Sequence, residues 1–145
     1  QSASRVPIAD VMDKEPLVGG SIYLAPSDYH TMVEGKHLAL STEEVVQYAR
    51  PSIDVLFESA ANSYGSSLIA VILTGANEDG AEGLKRVKEL GGYTIVQDPK
   101  TAIRREMPEA ALAKVRPNRV LPLEEIGPFL VELCLSAVGG DDGRA

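Results

Sequence analysis

Two adjacent carboxylates, Glu78 and Asp79, stand in a short polar loop, Thr74-Gly-Ala-Asn-Glu-Asp-Gly80, directly behind six consecutive apolar residues, Leu68-Ile-Ala-Val-Ile-Leu73. A carboxylate in that position has two roles open to it. It can accept backbone N–H bonds at a helix start and favour the helix dipole. It can also orient a catalytic imidazole and hold it in one tautomer. The two roles are compatible, since a capped carboxylate stays ionised and fixed. Gly75 and Gly80 bracket the loop, but Ala81 and Glu82 replace the Lys and hydroxyl of a phosphate-binding loop, and two carboxylates repel a phosphate. Backbone N–H groups near Ala76 can serve as oxyanion donors.

Other chemistry-bearing residues are few. His30 and His37 are the only imidazoles. Both fall in a stretch that reads as a hairpin, where histidines are more often surface residues or cross-strand partners than catalysts. Cys134 lies on the apolar stripe of the last helical segment and reads as a buried core thiol. No Cys/His spacing suits zinc, and neither a metal nor a cofactor is expected. Ser66 and Ser67 follow Gly65 without the second Gly of a nucleophile elbow. Arg50-Pro51-Ser52 reads equally as a helix start or a substrate contact.

The elements that must position the acidic loop follow from pattern. Leu68–Leu73 has no helical gap and suits a strand buried on both faces of a parallel sheet. Ala81, Leu84, Val87 and Leu90 then recur at helical spacing over residues 79–90, with Gly91-Gly92 as the stop. This strand–loop–helix unit puts the loop at a strand's carboxyl end, where open α/β sheets take their ligands. Upstream, a short strand is expected at residues 5–9 and another at Ser21–Ala25. His30–Glu34 and His37–Leu40 form the hairpin about Gly35-Lys36. Ser41–Arg50 reads as a loop. A helix starts at Pro51 and carries Ile53, Leu56, Phe57, Ala60, Ala61 and Tyr64 to a stop at Gly65. Downstream, Tyr93–Gln97 is a strand, Asp98-Pro99 a turn, Glu109–Lys114 a short Ala-rich helix opened by Met107-Pro108, and Arg119–Leu121 a short strand. A last helix begins at Pro122, and residues 139–145 read as a disordered tail. The alternation predicts an α/β class: a doubly wound, mostly parallel sheet with an appended β-hairpin.

Composition bounds the rest. The 145 residues suit one domain, and 44% apolar content argues against disorder. The formal charge of −7, from 14 basic against 21 acidic residues, argues against nucleic acid or an anionic membrane as a partner. No apolar run approaches the roughly 20 residues of a membrane span. A single cysteine excludes an internal disulfide and fits a reducing, cytoplasmic setting.

Three segments in order carry a family resemblance: Ile22-Tyr-Leu-Ala-Pro26 with His30; Arg50-Pro-Ser-Ile-Asp-Val-Leu-Phe57; and Val71-Ile-Leu-Thr-Gly-Ala-Asn-Glu-Asp-Gly80. Together they resemble the catalytic domain of the chemotaxis protein-glutamate methylesterases (CheB) over about residues 5–135, with Gln97-Asp98 and Met107-Pro108 also in matching places. The resemblance implies a Rossmann-like, doubly wound domain. It implies hydrolysis of glutamyl methyl esters, and in some members glutamine deamidation, on methyl-accepting chemotaxis receptors. It places the Asp of a Ser-His-Asp triad on Asp79 and an oxyanion donor on the backbone of Ala76, within the loop Gly75, Ala76, Asn77 and Gly80, with Met107 and Pro108 at the cleft. Ala76 stands where many members carry Met, which implies a more open site. Glu106 and Glu109 stand where many carry Gly and Arg. The family's serine turn and triad histidine precede the matched region, so this chain is expected to begin near the family's second helix, with residues 1–138 as the C-terminal part of the domain. Missing first strands would leave a sheet face and edge exposed. A receiver domain is a possible partner of such a domain, and the alternative function is an inactive receptor- or protein-binding module of the same fold.

Overall fold

The computed structural model describes residues 6–26, 29–42 and 52–144, with side chains described through residue 136. The chain order is β1 (Ile8–Asp10), β2 (Glu15–Pro16), β3 (Ile22–Leu24), β4 (His30–Glu34), β5 (His37–Ser41), α1 (Ile53–Tyr64), β6 (Ile69–Ile72), α2 (Ala81–Glu89), β7 (Tyr93–Gln97), α3 (Glu106–Lys114), β8 (Arg119–Leu121) and α4 (Leu123–Arg144). The predicted α/β class holds, with alternating strands and helices in the second half.

The sheet that positions the acidic loop is β6-β7-β8, parallel throughout, with Ile69 opposite Tyr93 and Ile72 opposite Val96. Its side chains alternate between two faces, as the pleat requires. One face carries Ala70, Ile72 and Val96 against Ala61 of α1, Leu84 and Val87 of α2, and Ala111 of α3. The other carries Ile95 and Leu121, with Ile69, Val71 and Tyr93, against Ile126, Phe129 and Leu130 of α4. Helices therefore cover both faces. This explains why the β6 sequence is apolar without alternation: each residue meets one of two apolar layers. The hairpin is also as predicted, with β4 and β5 antiparallel, Glu34 opposite His37, and Gly35 at φ +59 in the turn. β2 joins its edge, a pairing the sequence does not announce. β1 and β3 form a separate parallel pair. Among the described residues, β6 is paired on one side only, and Leu73 at its end is 42% exposed.

Three expectations change. Cys134 is exposed, not buried. The sheet supplies partners to α4 only as far as Phe129 and Leu130, and beyond them the helix outruns the sheet, leaving Val131 and Leu135 exposed too. His30 is 1% exposed and stands opposite Ser41, the cross-strand placement rather than the superficial one. The hairpin lies against α1, with the Val33 N–H donating to Ser59 Oγ at 2.8 Å and the Ser63 hydroxyl to the Val33 carbonyl at 3.2 Å, and this closes over β4. Helical backbone runs on to Arg144, across the stretch read as a tail. Glycines there lower helix propensity by about 1 kcal/mol each, but none breaks the hydrogen-bond ladder as a proline would. The loop expected over Ser41–Arg50 and the helix start at Pro51 lie outside the described residues after Thr42.

Candidate active site

The acidic loop leaves β6 at Leu73 and enters α2 at Ala81, as its sequence implies. Local chemistry shapes it. Asn77 Oδ1 accepts the Asp79 N–H at 2.8 Å, an Asx turn. Gly80 follows at φ +103, where a Cβ would also stand 2.6 Å from Ile72 Cδ1. The positive φ is what favours glycine there, and the crowding by the Ile72 side chain adds to it.

Asp79 does cap a helix, but not the one it precedes. Its carboxylate accepts the Ile53 N–H at 2.6 Å, the Asp54 N–H at 3.0 Å and the Ser52 hydroxyl at 3.3 Å, all at the start of α1. Asp54, in the first turn of α1, returns the contact. Its Oδ1 accepts the Gly80 N–H at 3.1 Å and the Gly83 N–H at 2.7 Å, at the start of α2. The two helices thus exchange caps, and each amino terminus is satisfied by the other's acid. Ser52 completes α1, accepting the Val55 N–H at 3.3 Å. The sequence alternative of a helix start is the one this geometry supports for Ser52.

Three donors leave a carboxylate with acceptor capacity for about one more hydrogen bond, since two oxygens offer roughly four lone-pair sites. Asp79 is half-buried, so that capacity can reach a further group. Among the described residues no histidine uses it. His37 pairs with Glu34 at 3.6 Å on the surface, and both ring nitrogens of His30 are without a hydrogen-bond partner.

Burial pushes the Asp54 carboxyl above its ordinary value of 3.8, against the pull of the Gly83 N–H and with added repulsion from Asp79. A folded-state value above the unfolded one means the folded protein holds this proton more tightly. The contribution of Asp54 to stability is then most favourable below pH 3.8 and declines as pH rises through the raised value. Asp54→Asn keeps an oxygen for the two glycine amides and removes the charge. Its thermal midpoint, relative to wild type, is expected to improve as pH rises from 3.8 through the raised value. A difference that stays flat over that range would mean burial does not govern this carboxyl.

The amides ahead of Asp79 are used unequally. The Thr74 N–H donates to Gln97 Oε1 at 2.9 Å and the Gly75 N–H to the Arg104 carbonyl at 3.1 Å. Among the described residues the Ala76 N–H has no partner, and Ala76 is exposed. Gly75 is clamped from the other side: its carbonyl accepts the Met107 N–H at 3.1 Å, and a Cβ on it would collide with Met107 Sδ. Met107 is half-buried and Pro108 buried, so they back the loop. The open groove beside the loop, about 570 Å³, runs between α2 and α3 and is lined instead by Glu78, Glu82, Glu106, Glu109 and Lys114 with small alanines. Its charge is partly paired. Lys114 bonds Glu82 and lowers the Glu82 carboxyl, and Arg104 bonds Glu106 at 2.9 Å with the same effect.

Sequence reasoning singled out Asp79, Gly75, Ala76, Asn77 and Gly80, and these do share one loop. It assigned no role to Asp54, Gln97 or Arg104. The available signal was Gln97 itself, a lone amide ending an apolar strand. Among the described residues there is no group of three or more His, Cys, Asp or Glu side chains placed to hold a metal ion. Nor, among the described residues, is any helix long and apolar enough to cross a membrane.

Residues 1–130 match the family model described as CheB methylesterase. A Leptospira interrogans relative (strain Fiocruz L1-130) is 46% identical over 129 residues, covering 88% of this chain and 67% of that protein. Protein-glutamate methylesterase/protein-glutamine glutaminase 2 of Rhizobium johnstonii is 37% identical over 125 residues, 83% of this chain and 34% of its own length. The solved catalytic domain of the Thermotoga maritima CheB methylesterase superposes with a TM-score of 0.85 at 33% identity, covering 91% of this chain and 72% of that one.

Proposed function

The chain belongs to the CheB methylesterase family, and from that premise we propose that Asp79 is the acid of a Ser-His-Asp triad that hydrolyses glutamyl methyl esters on methyl-accepting chemotaxis receptors. In this reading the serine and histidine come from a segment outside residues 1–145. Glutamine deamidation is the same acyl transfer with ammonia in place of methanol as the leaving group. The serine attacks the carbonyl, and the histidine passes its proton to the departing methanol or ammonia. Water activated by the same histidine then releases the acyl group as a carboxylate and restores the serine, while Asp79 fixes the imidazole tautomer and stabilises the imidazolium. The Ala76 N–H donates to the oxyanion.

One observation carries this reading: Asp79 is held by three donors and retains the capacity for one more. A carboxylate anchored by backbone amides cannot swing away when an imidazole docks, so little reorganisation is required at the moment of reaction. The unpartnered Ala76 N–H, three residues away in the same loop, supports it.

The test is methanol release from methylated receptor by the complete protein of the source gene and by residues 1–145 alone. Release by the complete protein and background by the isolated chain are expected. Turnover by the isolated chain would refute the assignment of serine and histidine to another segment. An inactive complete protein that still binds receptor would favour the binding module of the same fold.

A further inference from the structure

We propose that Gln97 is a positioning residue that aims the Ala76 N–H at the reacting carbonyl, an inference that rests on the triad reading above. Gln97 is fully buried at the carboxyl end of the central strand β7. The backbone ladder between β6 and β7 ends at Ile72 and Val96. One step further, the Thr74 N–H turns to a side chain, and Gln97 Oε1 accepts it at 2.9 Å.

The amide's orientation is forced by its neighbours. The Thr101 hydroxyl donates its one proton to the Asp98 carbonyl at 2.9 Å. Thr101 Oγ1 can then only accept, and it takes Gln97 Nε2 at 3.1 Å and the Leu123 N–H at 3.3 Å. The NH₂ end of Gln97 must therefore face Thr101, and its oxygen must face Thr74. A second tie acts on the other side of the loop. Thr74 Oγ1 accepts the Arg104 N–H at 2.8 Å and donates to the Arg104 carbonyl at 3.0 Å, which also takes the Gly75 N–H. Two consecutive amides are thereby pinned to buried or backbone partners, and the third, at the exposed Ala76, has none among the described residues. An oxyanion donor is effective only if it is fixed in advance, because a donor that must reorient gives back what it contributes. Gln97 supplies that fixation from inside the core, without touching substrate.

The experiment uses the complete source protein, with active enzyme counted by fluorophosphonate labelling of its serine. Gln97→Leu is expected to lower kcat per labelled serine about 30-fold with KM within about twofold, since one well-placed oxyanion donor is worth roughly 10²- to 10³-fold and a misaimed one loses part of that. Thr101→Val keeps Gln97 but frees its amide to turn, and is expected to lower kcat by less. A merely structural role would lower yield and thermal midpoint but not kcat per labelled serine. Unchanged kcat in Gln97→Leu, or a loss confined to KM, overturns the proposal, and unchanged kcat in Thr101→Val does so if Gln97→Leu fails to fold. The backbone ¹⁵N resonance of Ala76 gives a readout independent of activity. It is expected to shift and broaden in both variants, and an unmoved resonance overturns the proposal. A parent enzyme without activity but with a displaced Ala76 resonance would strike the triad reading and leave the positioning in place.

Discussion

Asp79→Asn in the complete protein is expected to lower kcat by about 10⁴-fold, the loss found when a triad acid can no longer set the imidazole tautomer. The substitution separates the capping this residue performs from the catalytic role proposed for it. Asparagine keeps one oxygen where the carboxylate uses two: the Ile53 N–H bonds one at 2.6 Å, and the Asp54 N–H and Ser52 hydroxyl share the other at 3.0 and 3.3 Å. Its other terminus becomes a donor, which cannot accept the imidazole N–H and opposes the native donors on its side. The structural penalty is that of a weakened cap, about 1 kcal/mol. The catalytic penalty, near 5–6 kcal/mol by the tenfold-per-1.36 rule, is several times larger. Thermal unfolding and kcat per labelled serine, measured on the same preparation, resolve the two. A lowered midpoint with kcat within tenfold of wild type would reduce Asp79 to a helix cap.

Gly83→Ala is expected to destabilise the domain by about 2 kcal/mol net, with a fall in thermal midpoint of roughly 4–8 °C for a domain of this size. A methyl group on Gly83 would stand 2.6 Å from Phe57 Cβ, 3.1 Å from Asp54 Cα and 3.2 Å from the Asp54 carbonyl oxygen. The last two are backbone atoms and cannot rotate away, so α1 and α2 must part. Overpacking of this kind costs up to about 3 kcal/mol, offset by the roughly 1 kcal/mol that alanine gains over glycine within a helix. The consequence extends beyond packing. The same approach lets Asp54 reach the Gly83 N–H at 2.7 Å and lets Asp79 reach Ile53. Parting the helices strains both halves of the cap exchange, so kcat is expected to fall along with stability. A midpoint within 1 °C of wild type would mean the helices separate without cost, and the close approach would have no structural weight.

Much of this protein is legible from local pattern. The run Leu68–Leu73 and the alternation after it specify a parallel strand, a loop and a helix, and Gly35-Lys36 specifies a hairpin turn, because backbone sterics and the periodicity of burial act over a few residues. The acidic loop was legible for the same reason, since polar residues between two glycines end a strand abruptly. Partners were not legible. Asp79 adjoins α2 in sequence yet bonds α1, and Asp54 does the converse, because a cap goes to whichever free amides the packing brings within 3 Å. Gln97 reads as one more strand residue until Thr74 and Thr101 are set on either side of it. Cys134 keeps the helical period of a core residue but lies beyond the end of the three-stranded sheet, so the period promises a burial the sheet does not supply. The sequence alone determined most of the segments that become strands and helices, the edge strand β2 and the far reach of α4 excepted. The tertiary structure alone decided which donors meet which acceptors, because hydrogen bonds between residues some 25 positions apart exist only once the helices that carry them have packed.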